Sequence, residues 1–454
     1  MNHGTERRVT DSLGAERVLQ PICTALLAIG LAGCGGTGQP GTAAGQPVSA
    51  ADDAFEHALR VDSELDQVDA NPGDGVCASA EGVCSLRAAI MEASASVVNA
   101  TGEPHTILLP PGVYALSLPN ALSTGDVGLG DVLARPIVAS DATGSLNIAA
   151  PMSIHGAGAR ETLIDGQQLD RVFELSRGAD SRLTDLSITG GAGNTMGGGI
   201  YAQAHLVLER VHIYGNQSSG GGGIFVNPMG SLTLNDSTVS HNIAKGQAGG
   251  IRIDTRGTIT NSTISHNKAL GLADPVLMGT GVPFTFAQGG GVDIRGIGTV
   301  IRNSTIAFNE AHDGGAGLHF DTAYVDALPD PVTGALAVPH FDVILENTII
   351  AHNVAEVAQG DCLATVGLSR ILSQGHNLDS DGSCGLDQAG DLVALEPMLG
   401  ELANHGGPTD TLALMPASPA RGAGNPATCT LRDQRGVARD ADFGCDIGAF
   451  EATE

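Results

Sequence analysis

The sequence predicts an all-β molecule: a right-handed parallel β-helix with a short N-terminal helical cap and a loop-rich, disulfide-stapled C-terminal cap. Three observations predict it. A unit of about 25 residues recurs through the middle of the chain. Glycine is abundant, 64 of 454 residues, and large rings are scarce, with no Trp and aromatics at 3%. A globular core with so much glycine and so few rings would pack poorly, whereas a coil of short strands closed by tight turns uses both features.

The repeat has two halves. One is a glycine turn followed by an apolar residue, as in Gly198-Gly199-Ile200, Gly222-Gly223-Ile224, Gly249-Gly250-Ile251, Gly290-Gly291-Val292 and Ala316-Gly317-Leu318. The other has the pattern NSTIxxN, clearest at Asn261–Asn267 and Asn303–Asn309, with looser copies ending at Asn216, Asn242 and Asn353. These terminal Asn residues are spaced 26, 25, 42 and 44 apart, so the two long intervals carry insertions, near Leu270–Gln288 and Thr322–His340. After each glycine turn, Ile200, Ile224, Ile251, Val292 and Leu318 share one register and Ala202, Val226, Ile253, Ile294 and Phe320 the next but one. A period of two with both positions apolar turns them inward, and stacking coils ~4.8 Å apart makes a narrow continuous core. Asn tolerates the left-handed turn conformation, and stacked amides bond from coil to coil. The hand follows from the parallel crossover rule.

In chain order, Arg7, Arg8 and Arg17 precede an apolar run, Ile22 to Leu31, too short for an ordinary membrane-spanning helix. The run ends Leu31-Ala32-Gly33-Cys34, which resembles a bacterial lipobox. Residues 1–34 are therefore expected to be a lipoprotein-type signal peptide with Cys34 lipidated, against a plain signal peptide with an incidental Cys. Residues 35–60 read as a flexible tether, 61–104 as an N-terminal cap with a helix near Ser85–Ser94, 105–360 as the β-helix and 361–454 as the C-terminal cap. Six further cysteines cluster as Cys77 with Cys84, Cys362 with Cys384, and Cys429 with Cys445. Nearest-neighbour pairing is the simplest connectivity; a zinc site is the rival, without the CxxC pairs zinc prefers.

Two motif groups resemble known families. Asp69-Ala-Asn-Pro-Gly-Asp-Gly-Val-Cys77 followed by Gly82-Val-Cys84-Ser85-Leu86-Arg87-Ala88-Ala89-Ile90 resembles the CSLREA domain of exported bacterial repeat proteins, departing from it at Ala88, where the family has Glu. Leu402–Thr409, Ser418–Gly424, Asp433–Gly436 and Cys445–Glu451 together are similar to the choice-of-anchor Q family of surface proteins. The glycine turns and IxxN elements look like polymorphic outer-membrane protein repeats, some of which are adhesins. The resemblance implies an exported, surface-held β-helix, with the lipid at Cys34 in place of a C-terminal sorting tail.

The chain carries 50 acidic against 22 basic residues, net −28. That field repels nucleic acid and anionic membranes, so membrane contact is expected only through the lipid at Cys34. The expected partner is a polysaccharide or a surface protein. Aligning the glycine turns puts two columns on the outer face: Tyr201, Phe225, Arg252, Asp293 and His319, then Gln203, Asn227, Asp254, Arg295 and Asp321. Tyr201, Phe225 and Arg252 are candidate ligand-binding residues, since the rings could stack on sugars. Asp254, Asp293, Arg295, His319 and Asp321 are candidate catalytic residues, because parallel β-helix polysaccharide lyases and hydrolases use Asp and a basic residue on such a face. The structural alternative is charge pairing between coils, Arg252 with Asp293 and Asp254 with Arg295, at ~0.2–1 kcal/mol per pair. His241 and His266 fall in one column with Phe308 and His352, and stacked histidines can hold a metal or simply fill surface turns. Asp66, Asp69, Asn71 and Asp74 have calcium-loop-like spacing, the alternative being an Asx-turn-rich loop. No cofactor is required on these readings. Adhesion or carbohydrate binding is the favoured function, with a polysaccharide lyase or glycoside hydrolase and a structural envelope protein as the alternatives.

Overall fold

Successive copies of the repeat lie beside one another as parallel strands. The computed structural model describes Phe55 and residues 57–96, 103–119, 142–193, 195–271, 287–321, 341–365, 369–440 and 444–453. The expected signal peptide, Cys34, most of the tether, all but the ends of the first insertion and the whole of the second lie outside them.

Three long parallel sheets form the walls of the coil. The first has ten strands, from Leu59–Arg60 and His105–Leu108 through Ser231–Asn235 to Ser369–Ser373. The second has eight, from Leu146–Ile148 through Ile224–Val226 to Cys362–Thr365. The third has ten, from Gly112–Ala115 through Thr263–Ser265 to Leu392–Val393. Five two-residue strands, Gln217–Ser218 to Val354–Ala355, make a narrow fourth side.

The register follows the repeat. Ile200 pairs with Ile224, Ile224 with Ile251, Ile251 with Val292 and Val292 with Leu318. All five are fully buried, as are Ala202, Val226, Ile253, Ile294 and Phe320 in the next inward position. Glycine before these strands is steric necessity: a Cβ on Gly222 would lie 2.4 Å from the Gly249 carbonyl oxygen and 2.6 Å from that of Ile243. The ladder asparagines are buried beside this turn. Asn216 donates through its backbone N–H and its amide to Asn242 Oδ1, and the same double bond runs from Asn242 to Asn267, Asn267 to Asn309 and Asn309 to Asn353, each at 2.9–3.0 Å. Asn353 hands the pattern to Asp361 Oδ1, where it ends.

At the N-terminal end the helix Leu86–Ser96 covers the first coil, one residue displaced at its start from the sequence expectation. Ser85 Oγ accepts from the Ala88 N–H and caps it. Buried Arg87 pairs with Asp66 at 2.6 Å and donates to the carbonyls of Gly144 and Ser145, tying helix to coil. The coil begins earlier than expected, because Leu59–Arg60 inside the supposed tether already pairs with His105–Leu108.

The distal boundary also differs. Strands Cys362–Thr365, Ser369–Ser373 and Leu378–Asp379 continue the three walls, so the β-helix runs past residue 360. The sequence loses its period there while the backbone keeps pairing. Beyond these strands, Cys384 and Leu386 join the continuous core of the coil. The antiparallel hairpin Leu399–Ala403/Thr411–Leu414 and the segment after it fold back along the third sheet. Asp410 O accepts from Thr238 Oγ1, Gln434 Oε1 from Thr263 Oγ1, and Thr305 Oγ1 from the Ala449 N–H. Arg439, buried against Glu451 at 3.2 Å, also donates to Gly448 O and to Asn261 Oδ1. The three disulfides join Cys77 to Cys84, Cys362 to Cys384 and Cys429 to Cys445, the nearest-neighbour pattern. Structural disulfides of this kind belong to an oxidising environment.

Candidate functional site

The outward residues of the second sheet form the column that its register dictates: Glu174, Tyr201, Phe225, Arg252, Asp293, His319 and Leu363. Equal height, however, does not give equal exposure, and the column divides into two parts.

The proximal part is a half-open stack. The Tyr201 and Phe225 rings lie 5.4 Å apart at 26°. Arg171 sits over Tyr201 at 4.9 Å and Arg252 over Phe225 at 5.3 Å, so a guanidinium closes each end. Asn227 donates to the Tyr201 hydroxyl at 3.2 Å. Arg252 is aimed by Asp254, at 2.8 and 3.2 Å, and by Gln247 at 2.9 Å. Tyr201, Gln203, Asn227, Arg252 and Asp254 are partly exposed, while Phe225 is buried beneath its neighbours. Arg171 escapes the repeat alignment, since it precedes the strand Phe173–Leu175 and reaches across from the coil below.

The distal part is closed. Asp293 and His319 are fully buried and Arg295 nearly so. Asp293 binds Arg295 Nε at 3.0 Å and His319 Nδ1 at 2.6 Å. Burial alone would raise the Asp293 carboxyl, but the Arg295 guanidinium and the His319 ring outweigh it and hold the group well below the usual carboxylate range. Burial likewise opposes the charge on Arg295, and Asp293 overrides it and raises the guanidinium. With Asp293 and His319 presenting no atom to solvent, the trio acts as a buried ionic strut. Asp321 stays partly exposed at the end of its strand.

This corrects the expected surface charge pairing. Arg252 does stand level with Asp293, yet the ion pairs run along single strands, Arg252 to Asp254 and Arg295 to Asp293. A residue two positions on, on the same face, lies within reach of a folded-back guanidinium, and Asp293 is taken by Arg295 and His319.

The carboxylates of the candidate calcium loop have local partners. Asp66 is committed to Arg87 and to the N–H groups of Ser117 and Leu118. Asp69 accepts from Asn71 and Ala78, and Asp74 from Val76. Glu92 on the helix binds the Gly73 and Gly75 N–H groups at 2.6 and 2.9 Å. These carboxylates serve turns, which is the Asx-turn alternative.

Among the described residues the one convergence of three acidic ligand atoms is Asp361, Asp379 and Asp381. The sequence reading missed it because the segment has lost the repeat phase. Its oxygens are engaged: Asp361 by Asn353 and Ser380, Asp379 by the Gly382 and Cys384 N–H groups, Asp381 by Gly360 and Ser383.

Away from the second sheet, the expected histidine column is present. His241, His266, Phe308 and His352 stack at centroid distances of 5.0, 5.4 and 5.1 Å. A groove of about 500 Å³ runs between His241, His266 and Phe308 and the hairpin residues Leu399, Glu401, Leu402 and Met415.

Fold and site together define the class: a disulfide-stapled parallel β-helix protein with an arginine-bracketed aromatic stack on one wall. No family model, curated protein or solved structure matches the chain.

Proposed function

We propose that this is an exported, surface-held β-helix that binds glycan or another surface through the proximal part of the second sheet. The observation that carries the reading is the Arg171–Tyr201–Phe225–Arg252 stack, where the partly exposed Tyr201 ring and its two flanking guanidiniums meet solvent on the second sheet. Sugar rings pack on such surfaces through their C–H faces, and Asn227, Gln203 and Asp254 supply hydrogen-bonding groups beside them. The lipobox at Cys34 would hold the molecule at the outer membrane, and the three disulfides suit that exported location. The kinship with CSLREA and choice-of-anchor Q proteins belongs to the same proposal. Its motif residues Arg87, Asp433, Arg435 and Glu451 are engaged in buried clasps, Glu451 with Arg439 outside the motifs, which supports a scaffold role for those motifs.

The test is retention on a panel of neutral and acidic polysaccharides, with and without calcium, by affinity electrophoresis. Tyr201→Ala and Arg252→Ala are each expected to weaken retention roughly tenfold, the scale of one lost stacking contact. Equal retention of wild type and variants would overturn the assignment of this face. Release of shortened or unsaturated sugars, abolished in Asp293→Ala, would replace binding with lyase or hydrolase chemistry.

A further inference from the structure

From Ser187–Thr189 to Ile349–Ala351, the residue that follows each strand of the third sheet has a positive φ. The values are 66° at Gly190, 64° at Gly215, then 55° at His241, 58° at His266, 59° at Phe308 and 55° at His352. The first two coils use glycine, which this backbone favours. The next four place a ring there, where a bulky side chain is disfavoured. The turn itself needs no ring, as the glycine coils show. The rings stack at 5.0, 5.4 and 5.1 Å with interplanar angles of 8°, 25° and 14°, which makes one ladder along the coil. Their faces are turned on each other, so the groove of about 500 Å³ beside His241, His266 and Phe308 meets ring edges.

The hairpin opposite supplies Leu399, Leu402 and Met415, with exposed Glu401 beside them. Apolar surface continues out of the groove. Met415 is 49% exposed and donates its N–H to Met398 O at 2.9 Å, and Met398 and Leu395 are 40% and 41% exposed. Glu396 lies between those two in sequence and bonds to His352 at 2.9 Å, which returns this surface to the last ring of the ladder. A hollow of this size opening onto uncovered Leu and Met is the kind of surface that takes the side chains of a partner.

The charge around it has one sign. Asp410 acts on His241 and Glu310 on His266, while Glu396 and Glu401 are exposed at the hairpin side. Asp410 is paired with Arg160 and Glu310 with Lys268, whereas among the described residues the Glu401 carboxylate has no basic partner. Burial holds both imidazoles below the usual histidine range, so neither adds a cation at neutral pH. The groove is therefore apolar within and negative beside its mouth.

We propose that this groove docks a short basic, apolar segment of another protein. Aliphatic or aromatic side chains of the segment enter between the ring ladder and Met415, and a Lys or Arg pairs with Glu401. The net charge of −28 draws such a segment in. This surface lies on a different wall from the glycan face and does not depend on it.

The chain has no Trp, so the emission of a Trp in a probe peptide reads its surroundings without background. Titrating the full chain with acetyl-Lys-Leu-Trp-Leu-Lys-amide is expected to give a saturable blue shift at one peptide per chain. Acetyl-Lys-Ser-Trp-Ser-Lys-amide has the same charge and should bind roughly tenfold more weakly. Met415→Asp adds negative charge yet should also lose roughly tenfold, because it spoils the apolar wall. Phe308→Gly gives the turn the residue its backbone favours, so it should fold and lose as much. Glu401→Gln is expected to weaken binding roughly threefold, the scale of one exposed charge pair. Glu81→Gln removes the same charge at the N-terminal cap and should change nothing. Equal binding of the two peptides, equal effects of Glu401→Gln and Glu81→Gln, or undiminished binding in Met415→Asp and Phe308→Gly would overturn the proposal. So would a dimer in sedimentation that Met415→Asp dissolves, since a second copy of this chain would then fill the groove.

Discussion

At the scale of single residues the ladder asparagines carry more of the fold than any charged group. Asn267 is completely buried, accepts two bonds from Asn242 and donates to Asn309 Oδ1 and Val239 O. Asn267→Ala would strand the N–H and amide of Asn242 without their acceptor, at about 1–3 kcal/mol for each buried orphan. A fall of about 3 kcal/mol in stability by denaturant titration is expected, and an unchanged midpoint would show that the ladder is decorative. Asn267→Asp keeps the acceptor but sets oxygen against Asn309 Oδ1, so it should be destabilising too. The chain itself places Asp only at Asp361, where no further ladder oxygen comes after it. The ladder was legible in the sequence because a repeated residue in a repeated turn has one place to go. The ion pairs were misread because register fixes the height of Arg252 and Arg295 but leaves their rotamers open. A long flexible side chain reaches along its own strand as easily as across to the next.

At the scale of elements, the interior coils could be read directly and the last one could not, since its strands pair without the glycine and Asn signals. In place of those signals stands the acidic turn Asp361, Asp379 and Asp381. Burial pushes the Asp379 carboxyl up, the Cys384 and Gly382 N–H groups oppose it, and the charges of Asp361 and Asp381 add to it, leaving the group at about 6. The folded-state value therefore lies above the ordinary ~3.9, so the folded turn takes up its proton first and gains stability as pH falls from that value towards ~4. Hydrogen exchange, corrected for intrinsic rates, should accordingly show the Gly382 and Cys384 amides better protected near pH 5 than at pH 7. Asp381 shifts the other way, by its hydrogen bonds to Ser383 and the Asp361 N–H against the raising effect of burial, so the informative comparison is with Asp379→Asn. That variant should lose the pH-dependent gain. Protection that is flat or rises with pH in the wild type would remove Asp379 from the account. The returning tail teaches the same lesson about legibility: Arg435 could be found as a motif residue, but only the packing reveals that it lies on Phe450 within the tail and that Arg439, outside the motifs, ties the tail to Asn261.

For the whole molecule the dominant fact is the net charge of −28 spread over a stack of coils. A ligand approaching the Tyr201 face meets this field before it meets Arg171 or Arg252, and both guanidiniums already have acidic neighbours, Glu174 at 3.5 Å and Asp254 at 2.8 Å. Their charge is largely cancelled locally, so they offer a ligand flat, weakly hydrated surface more than attraction for anions. This sets the sign of the salt dependence. A basic binder loses affinity for a polyanion as salt rises, because counterion release weakens. This chain should do the reverse: added salt screens the repulsion over a Debye length of ~10 Å at 0.1 M, so any affinity for an acidic polysaccharide rises between about 50 and 200 mM salt. Affinity for a neutral polysaccharide should stay level across the same range, because stacking on Tyr201 has no net charge term. Measuring both on one protein preparation separates the two contributions. A polyanion affinity that drops steeply with salt would mean that a local basic surface, and not the global field, governs recognition, and the ligand would then have to be sought among acidic glycans.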